Sequence, residues 1–299
     1  MKLMIFIPSY NDTLMAYVNA IKLLKYDYVS RILIVDDSDD PDFMEFAKKI
    51  SHEKILVVSR KRSGKWSAWR LALQFAKEYE GFIEIDSDVE VEYPEILIQS
   101  LMSYDVVTAY PEIIVPKTYF GKSIAKVYQR THKELACLGK FNMGGQVIAL
   151  SRKAIAAFLN QGFFEEPVMA DDHVIGLAAC VLGLRCISVE CGLRIRLPST
   201  FKEWILYRSR HRQAIKWAEK YVGLKTGRVC EAINISRWDI KVTLKYFLKN
   251  LIKELTIFAW LFLLLFFLGS VLPIESQTEW TRLKGEKLTT LEKLGDFAN

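Results

Sequence analysis

"FIEIDSDVEVEYPEIL", residues 82–97, runs an apolar strand pattern straight into Glu84, Asp86, Asp88, Glu90 and Glu92. Period-2 carboxylates have a bland reading, the solvated face of an edge strand. Crowding like charges at a strand end is unfavourable, however, unless something positive completes the cluster. The sharper reading therefore has Asp86 and Asp88, one residue apart, holding a divalent cation. The rest of the sequence has to choose between the two.

Outward from this stretch, residues 1 to about 200 alternate strand-like and helix-like segments. "LMIFI", "RILIVDD", "KILVVS", "FIEID" and "DVVTA" are short apolar runs, and "TLMAYVNAIKLLKYD", "PDFMEFAKKIS" and "KWSAWRLALQFAKEY" lie between them. That alternation predicts an α/β fold with a mostly parallel sheet flanked by helices. In such sheets ligands bind beyond the carboxyl ends of the strands. The polar groups fall there: "PSYND", "DDSDD", "RKRSGK" and "DSDVE" follow the first four strands in turn.

Composition excludes several alternatives. With 299 residues, 51% of them hydrophobic, the chain can build a large core without disulfide or metal staples. A net charge of +6, with the basic residues gathered toward the C-terminal third, points away from nucleic acid and toward anionic lipid or a phosphate-bearing substrate. The 5 cysteines are odd in number and lack C-x-x-C spacing, as reduced cytosolic thiols would. The apolar start before Pro8 is too short for a signal-peptide core and reads as a first strand.

The C-terminal part has another character. Residues 255–274, "LTIFAWLFLLLFFLGSVLPI", carry no charge, and a helix of that length spans about 30 Å, the thickness of a bilayer's hydrocarbon core. Before it, residues 236–254 place Ile240, Leu244, Phe247, Leu248, Leu251 and Ile252 on one helical face, with Lys241, Lys245, Lys249 and Lys253 in an i, i+4 stripe. This predicts a basic amphipathic helix at a membrane surface, its lysines toward anionic head groups. The expected organisation is an α/β domain over 1–200, a membrane-proximal helical segment over 201–235, the interface helix, one transmembrane helix and a polar tail over 275–299. Within about twenty residues of the span, five Lys/Arg precede it and four follow it, which leaves the positive-inside rule nearly balanced.

Taken together, the chain resembles a family 2 glycosyltransferase of the GT-A fold, the group that includes cellulose, chitin and hyaluronan synthases and polyprenyl-phosphate sugar transferases. The resemblance spans roughly residues 3 to 217 and rests on six segments in the family's order: "IFIPSYND", "ILIVDDSDD", "GKWSAWRLAL", "IEIDSDVEVEYPEIL", "FNMGGQVIALSRKAI" and "ADDHVIGLAACVLGLRC". It implies a nucleotide-sugar donor, with UDP-sugars favoured, bound by Pro8, Tyr10, Asp36, Asp37, Lys65, Asp86 and Asp88. Asp36 and Asp37 would approach base and ribose, and Lys65 with the amides near Gly64 would meet the phosphates. Hard oxygen ligands suit Mg²⁺ or Mn²⁺, with Asp88 as direct ligand and Asp86 beside it. Gly144, Gly145 and Asp171 would shape the acceptor side, although Asp171 also suits N-capping. Asp172 would be the base that takes the proton of an attacking hydroxyl.

"YRSRHRQAIKW" stands where processive members carry Gln-x-x-Arg-Trp, with Lys216 in place of the arginine. Gln213 and Trp217 would meet the acceptor, and Arg212 and Lys216 the diphosphate. The alternative for this stretch is a basic helix against the bilayer. His173 and His211 read as singletons with ordinary polar roles, and Trp69 and Met143 as packing residues. The expected activity is transfer to a hydroxyl of a glycan or glycolipid by a single-pass membrane enzyme facing the cytoplasm. Transfer to a polyprenyl phosphate, or an inactive sugar-nucleotide recognition module, are the alternatives.

Overall fold

In the computed structural model of the chain, residues 2–137, 141, 144–168, 170–198, 200–227, 248–250 and 252 are described. The elements follow the chain as β1 (Leu3–Ser9), α1 (Thr13–Leu23), β2 (Val29–Asp36), α2 (Pro41–Lys49), β3 (Ile55–Ser59), α3 (Lys65–Ala76), β4 (Gly81–Ile85) and β5 (Glu90–Val91). Then come α4 (Pro94–Leu101), β6 (Val106–Ile114), α5 (Tyr119–Cys137), β7 (Val147–Ser151), α6 (Arg152–Asn160), α7 (Asp171–Val181), β8 (Cys186–Arg196) and α8 (Phe201–Thr226).

All the strands join one sheet in the order β3-β2-β1-β4-β7-β6-β8-β5. The first four are parallel, as the alternation predicts. Beyond β4 the sheet is mixed, because β7 runs antiparallel to both β4 and β6 while β8 returns parallel to β6. The expectation of a mostly parallel sheet therefore holds without exception over the first four strands, and the second half adds the antiparallel strands β7 and β5 to the parallel pair β6–β8. "QVIALS", read from sequence solely as part of a glycine-rich segment, supplies the reversing strand β7. The register of β6 against β8 shifts between Tyr110 and Pro111, where proline cannot donate to the ladder.

Alternate residues of the inner strands feed two cores. Met4, Phe6, Leu33, Val35 and Phe82 pack under α3, α6 and α7. Leu3, Ile5, Ile7, Ile32, Ile34 and Ile83 pack under α1 and α4. With helices on both faces, strands read as unbroken apolar runs, which explains "LMIFI" and "RILIV". Helix starts follow local chemistry. Asp40 caps α2 by accepting from the Asp42 amide, with Pro41 at the first position, and Thr200 and Glu203 close a capping box on α8.

A third cluster of Ile113, Ile124, Ala125, Leu197 and Trp204 fixes α5 against the start of α8. His132 lies beside it, 7% exposed and stacked on Tyr128 at 4.1 Å. Burial pushes its imidazole down to about 4. The unfolded chain takes up this proton near pH 6.5 and the folded chain does not, so stability falls as the pH drops from about 6.5 to 4, by about 3 kcal/mol in all. Histidine NMR should show the His132 ring neutral at pH 5.5 in the folded protein; titration near 6.5 would contradict its burial.

Among the described residues no helix is long and apolar enough to cross a membrane. The expected span 255–274, the tail and most of the interface helix lie outside the described residues. Of that helix, Lys249 and Asn250 are seen against α5: Lys249 Nζ lies 2.9 Å from Glu134 Oε1, and Asn250 Nδ2 donates to Glu134 Oε2 at 3.1 Å. Lys249, expected to point toward anionic head groups, is paired here with a carboxylate of the protein.

Candidate active site

The strand order reverses direction between β1 and β4, the position at which an open α/β sheet forms its crevice. The two strand ends are tied together there. Ser87 is fully buried and donates to Asp12 in the loop after β1, while Asn19 of α1 donates to the carbonyls of Ser87 and Val89 at 2.9 and 3.0 Å. Ser87 is thereby drawn inward, and Asp86 and Asp88 on either side of it stay half-buried. Asp12, the last residue of "PSYND", was not singled out and Asn19 carries no motif; their role as ties appears only once β1 and β4 are known to be neighbours.

Lys65, the first residue of α3, follows Gly64, whose φ of +85° favours glycine. Its ammonium lies 2.9 Å from Glu84 Oε1, 2.9 Å from Asp86 Oδ1 and 3.0 Å from Asp171 Oδ2, and 3.4 Å from the Gly145 carbonyl. Burial would lower its pKa, but Asp171, Asp86 and Glu84 together outweigh burial and hold it well above the ordinary lysine value. Glu84 is 0% exposed, so it is no member of a solvated face. Burial pushes its carboxyl well above the usual range against the pull of Lys65, and the charges of Asp86 and Asp171 push it further. Glu84 therefore holds its proton more tightly than an ordinary glutamate, and its Oε2 has no hydrogen-bond partner.

The acceptor-side residues arrive from the other direction. Asp171 opens α7 but does not cap it; Ala170 occupies the cap position, and Asp171 Oδ2 accepts from Trp69 Nε1 at 2.9 Å as well as meeting Lys65. Its capping role is thus corrected to one of binding α3. Trp69, read as packing alone, is fully buried, stacks on Phe164 at 5.6 Å and also makes this contact. Asp172 lies against the glycine segment. A Cβ on Gly145 would come within 2.9 Å of Asp172 Oδ2 and 3.0 Å of its Cβ, so only glycine fits that approach. Asp172 Oδ1 accepts from the His173 amide at 2.8 Å, and the first turn of a helix favours its negative charge.

His173 and His211 are not singletons in space. His173 Nε2 and His211 Nδ1 are 3.3 Å apart, which fastens α7 to α8 one residue beyond Asp172. Farther along α8, Trp217 stacks one face on Tyr221 at 4.9 Å, and Lys216 is exposed. Gln213 is half-buried on the same helix. The side chain of Arg212, and Met143, lie outside the described residues. Gly144 is half-buried ahead of β7.

The loops after β1, β2 and β3 form a second network. Asp36 is 0% exposed and accepts from Thr13 at 2.8 Å and from Ser38, so its carboxylate is an internal tie rather than a ribose contact. Asp37 is paired with Arg60 at 2.6 Å, and Arg60 donates to Ser67 of α3 at 2.9 Å. Pro8, half-buried near the end of β1, pairs with Val35. Tyr10 donates to Asp39 at 2.9 Å and carries the Arg62 guanidinium 4.3 Å from its ring. Asn11, at φ 52°, holds the first two loops together by accepting from the Asp39 and Asp40 amides, both at 3.2 Å.

Among the described residues, no group of three or more His, Cys, Asp or Glu is arranged to hold a metal ion. Asp86 and Asp88 offer two hard carboxylates, a donor set that suits Mg²⁺ or Mn²⁺ only if a ligand's phosphates and water complete the shell.

Comparison with known proteins agrees with this architecture. Among solved structures, the mannosyltransferase PcManGT from Pyrobaculum calidifontis, captured with GDP-Man and Mn²⁺, superposes with a TM-score of 0.56 at 17% identity, over 88% of this chain and 78% of that one. Glucosyl-3-phosphoglycerate synthase from Mycobacterium tuberculosis, with Mn²⁺, UDP and glucosyl-3-phosphoglycerate, gives 0.48 at 18% identity over 77% of this chain and 81% of that one. No curated protein sequence matches. The family description "Glycosyl transferase family 2" matches residues 4–158, just over half of the chain, including the β1 and β4 ends and Lys65. The chain belongs to glycosyl transferase family 2.

Proposed function

We propose that the protein is a metal-dependent, inverting glycosyltransferase that moves a sugar from a nucleotide-diphosphate sugar to a hydroxyl of a glycan or glycolipid. One observation carries the reading: the Lys65 ammonium touches Asp86 on the donor side and Asp171 and Gly145 on the acceptor side, so both halves meet in one crevice. Asp86 and Asp88 would hold the cation, whose chemistry is to neutralise the charge developing on the departing diphosphate. Asp172 takes the proton as the acceptor oxygen forms its bond to the anomeric carbon. The bond from that carbon to the diphosphate oxygen breaks with its electron pair leaving on the nucleotide, and attack from the opposite face inverts the centre. Residues 255–274 anchor the chain in a membrane with the catalytic domain on the cytoplasmic side, where sugar nucleotides are made.

The test is incorporation of label from a panel of UDP-sugars, and GDP-mannose, into lipid and glycan fractions by membranes containing the full chain. One donor should be used, EDTA should stop transfer, and Asp88→Ala should abolish metal-dependent donor binding. Neither transfer nor hydrolysis of any donor with Mg²⁺ or Mn²⁺ would sink the enzyme reading and leave the inactive recognition module.

A further inference from the structure

Between Glu112 and Glu134 the chain carries Lys117, Lys122, Lys126, Arg130 and Lys133 and not one acidic residue. All five are exposed. The last four lie on α5 at i, i+4, i+8 and i+11, which at about 100° per residue gathers them into an arc of about 80° running some 16 Å along the helix. The opposite arc is buried through Ile124, Ala125, Thr131 and His132. The helix therefore gathers four cationic side chains on one face, with Glu134 at its edge four residues after Arg130, and commits the other to the protein.

A second feature says what covers that face. Directly beside it, Glu134 holds Lys249 and Asn250, and Asn250 is only 1% exposed although it is polar. Two residues on, Ile252 is 56% exposed although it is apolar. This short helical piece thus turns its polar side to α5 and an apolar side chain outward, and three residues after Ile252 the uncharged run 255–274 begins. A soluble polyanion would match the charges but not the outward isoleucine or the run behind it. A bilayer with anionic head groups matches both.

We propose that α5 lies on an anionic bilayer surface through Lys122, Lys126, Arg130 and Lys133, as a contact separate from the C-terminal run. The proposal rests on reading 255–274 as a bilayer span, and one experiment separates the two. The full chain is reconstituted into nanodiscs of phosphatidylcholine alone and of phosphatidylcholine with about 30% phosphatidylserine. Retention in the neutral discs through alkaline carbonate reads the span. Acetylation of exposed lysines, followed by mass spectrometry, reads α5.

Lys122, Lys126 and Lys133 should react about 5-fold more slowly in the anionic discs than in the neutral ones, with Lys48 of α2 unchanged and the difference removed by high salt. Protection in anionic discs without retention in neutral ones would support the α5 contact and remove the span. Retention in both discs with equal reactivity of the three lysines would overturn the α5 contact and leave the span. Equal protection by a free oligonucleotide in solution, or recovery with neither disc, would overturn it as well. Charge reversal by K122E, K126E and K133E together should abolish the dependence of Ile252-side quenching by brominated lipid on phosphatidylserine; an unchanged dependence would also overturn the proposal.

Discussion

Lys65→Met should lower the stability of the folded domain by about 3 kcal/mol, the low end of what breaking a buried ion pair costs, because 31% of the lysine side chain remains exposed. The loss is not that of one salt bridge. A single ammonium lies within 3.0 Å of Glu84, Asp86 and Asp171, and its removal leaves three carboxyl groups facing one another with Glu84 fully buried. Thermal unfolding should fall by roughly 8 °C on the usual scaling for a domain of this size. Glu84→Gln alone should cost under about 1 kcal/mol, since that position already favours the neutral form. The two changes together should be less destabilising than Lys65→Met by itself, because the glutamine removes one of the crowded acids. A melting temperature unchanged by Lys65→Met would show that the cluster is held by something other than this lysine.

Asp172→Asn should reduce turnover on a hydroxyl acceptor about a thousandfold, within the range expected for a general base, while donor affinity stays within about twofold. Asparagine keeps the shape that Gly145 accommodates and keeps an oxygen for the His173 amide, so folding and the Asp86–Asp88 turn are left intact. What it cannot do is accept a proton. Pre-steady-state transfer, with donor binding measured separately, divides the two effects. Full turnover by Asp172→Asn on a hydroxyl acceptor would remove Asp172 from the role of base. Full turnover on a polyprenyl phosphate, already an anion, would select that acceptor class instead.

Much of the fold was legible because the first strands are buried on both faces, and such strands announce themselves as apolar runs between amphipathic helices. The reversal at β7 was not, since "VIALS" reads the same whether it runs with or against its neighbours. Within the crevice, Asp86, Asp171 and Asp172 were singled out by local motifs and Lys65 by its place at a helix start, and the structure brings Asp86 and Asp171 to Lys65. Its protein partners were not legible: a lysine at a helix start reads as a phosphate ligand, and only the β4–α3–α7 packing brings Glu84, Asp86 and Asp171 to it. Asp36 was misjudged for a related reason, because an acidic strand end looks the same in sequence whether it faces a ribose or is consumed by Thr13 and Ser38. Asp12, Asn19 and the His173–His211 pair depend on contacts across 38 to 75 positions of chain, which no local pattern encodes.

The central claim is that the turn at Asp86–Asp88 takes up a nucleoside diphosphate together with a divalent cation. Isothermal titration of the full chain with UDP and with GDP, each in the presence and absence of Mn²⁺, tests it most directly. The account predicts saturable binding of one nucleotide that appears only with Mn²⁺ and disappears in Asp88→Ala. Nucleotide binding of equal strength with and without the cation, or heat unchanged by Asp88→Ala, would contradict it.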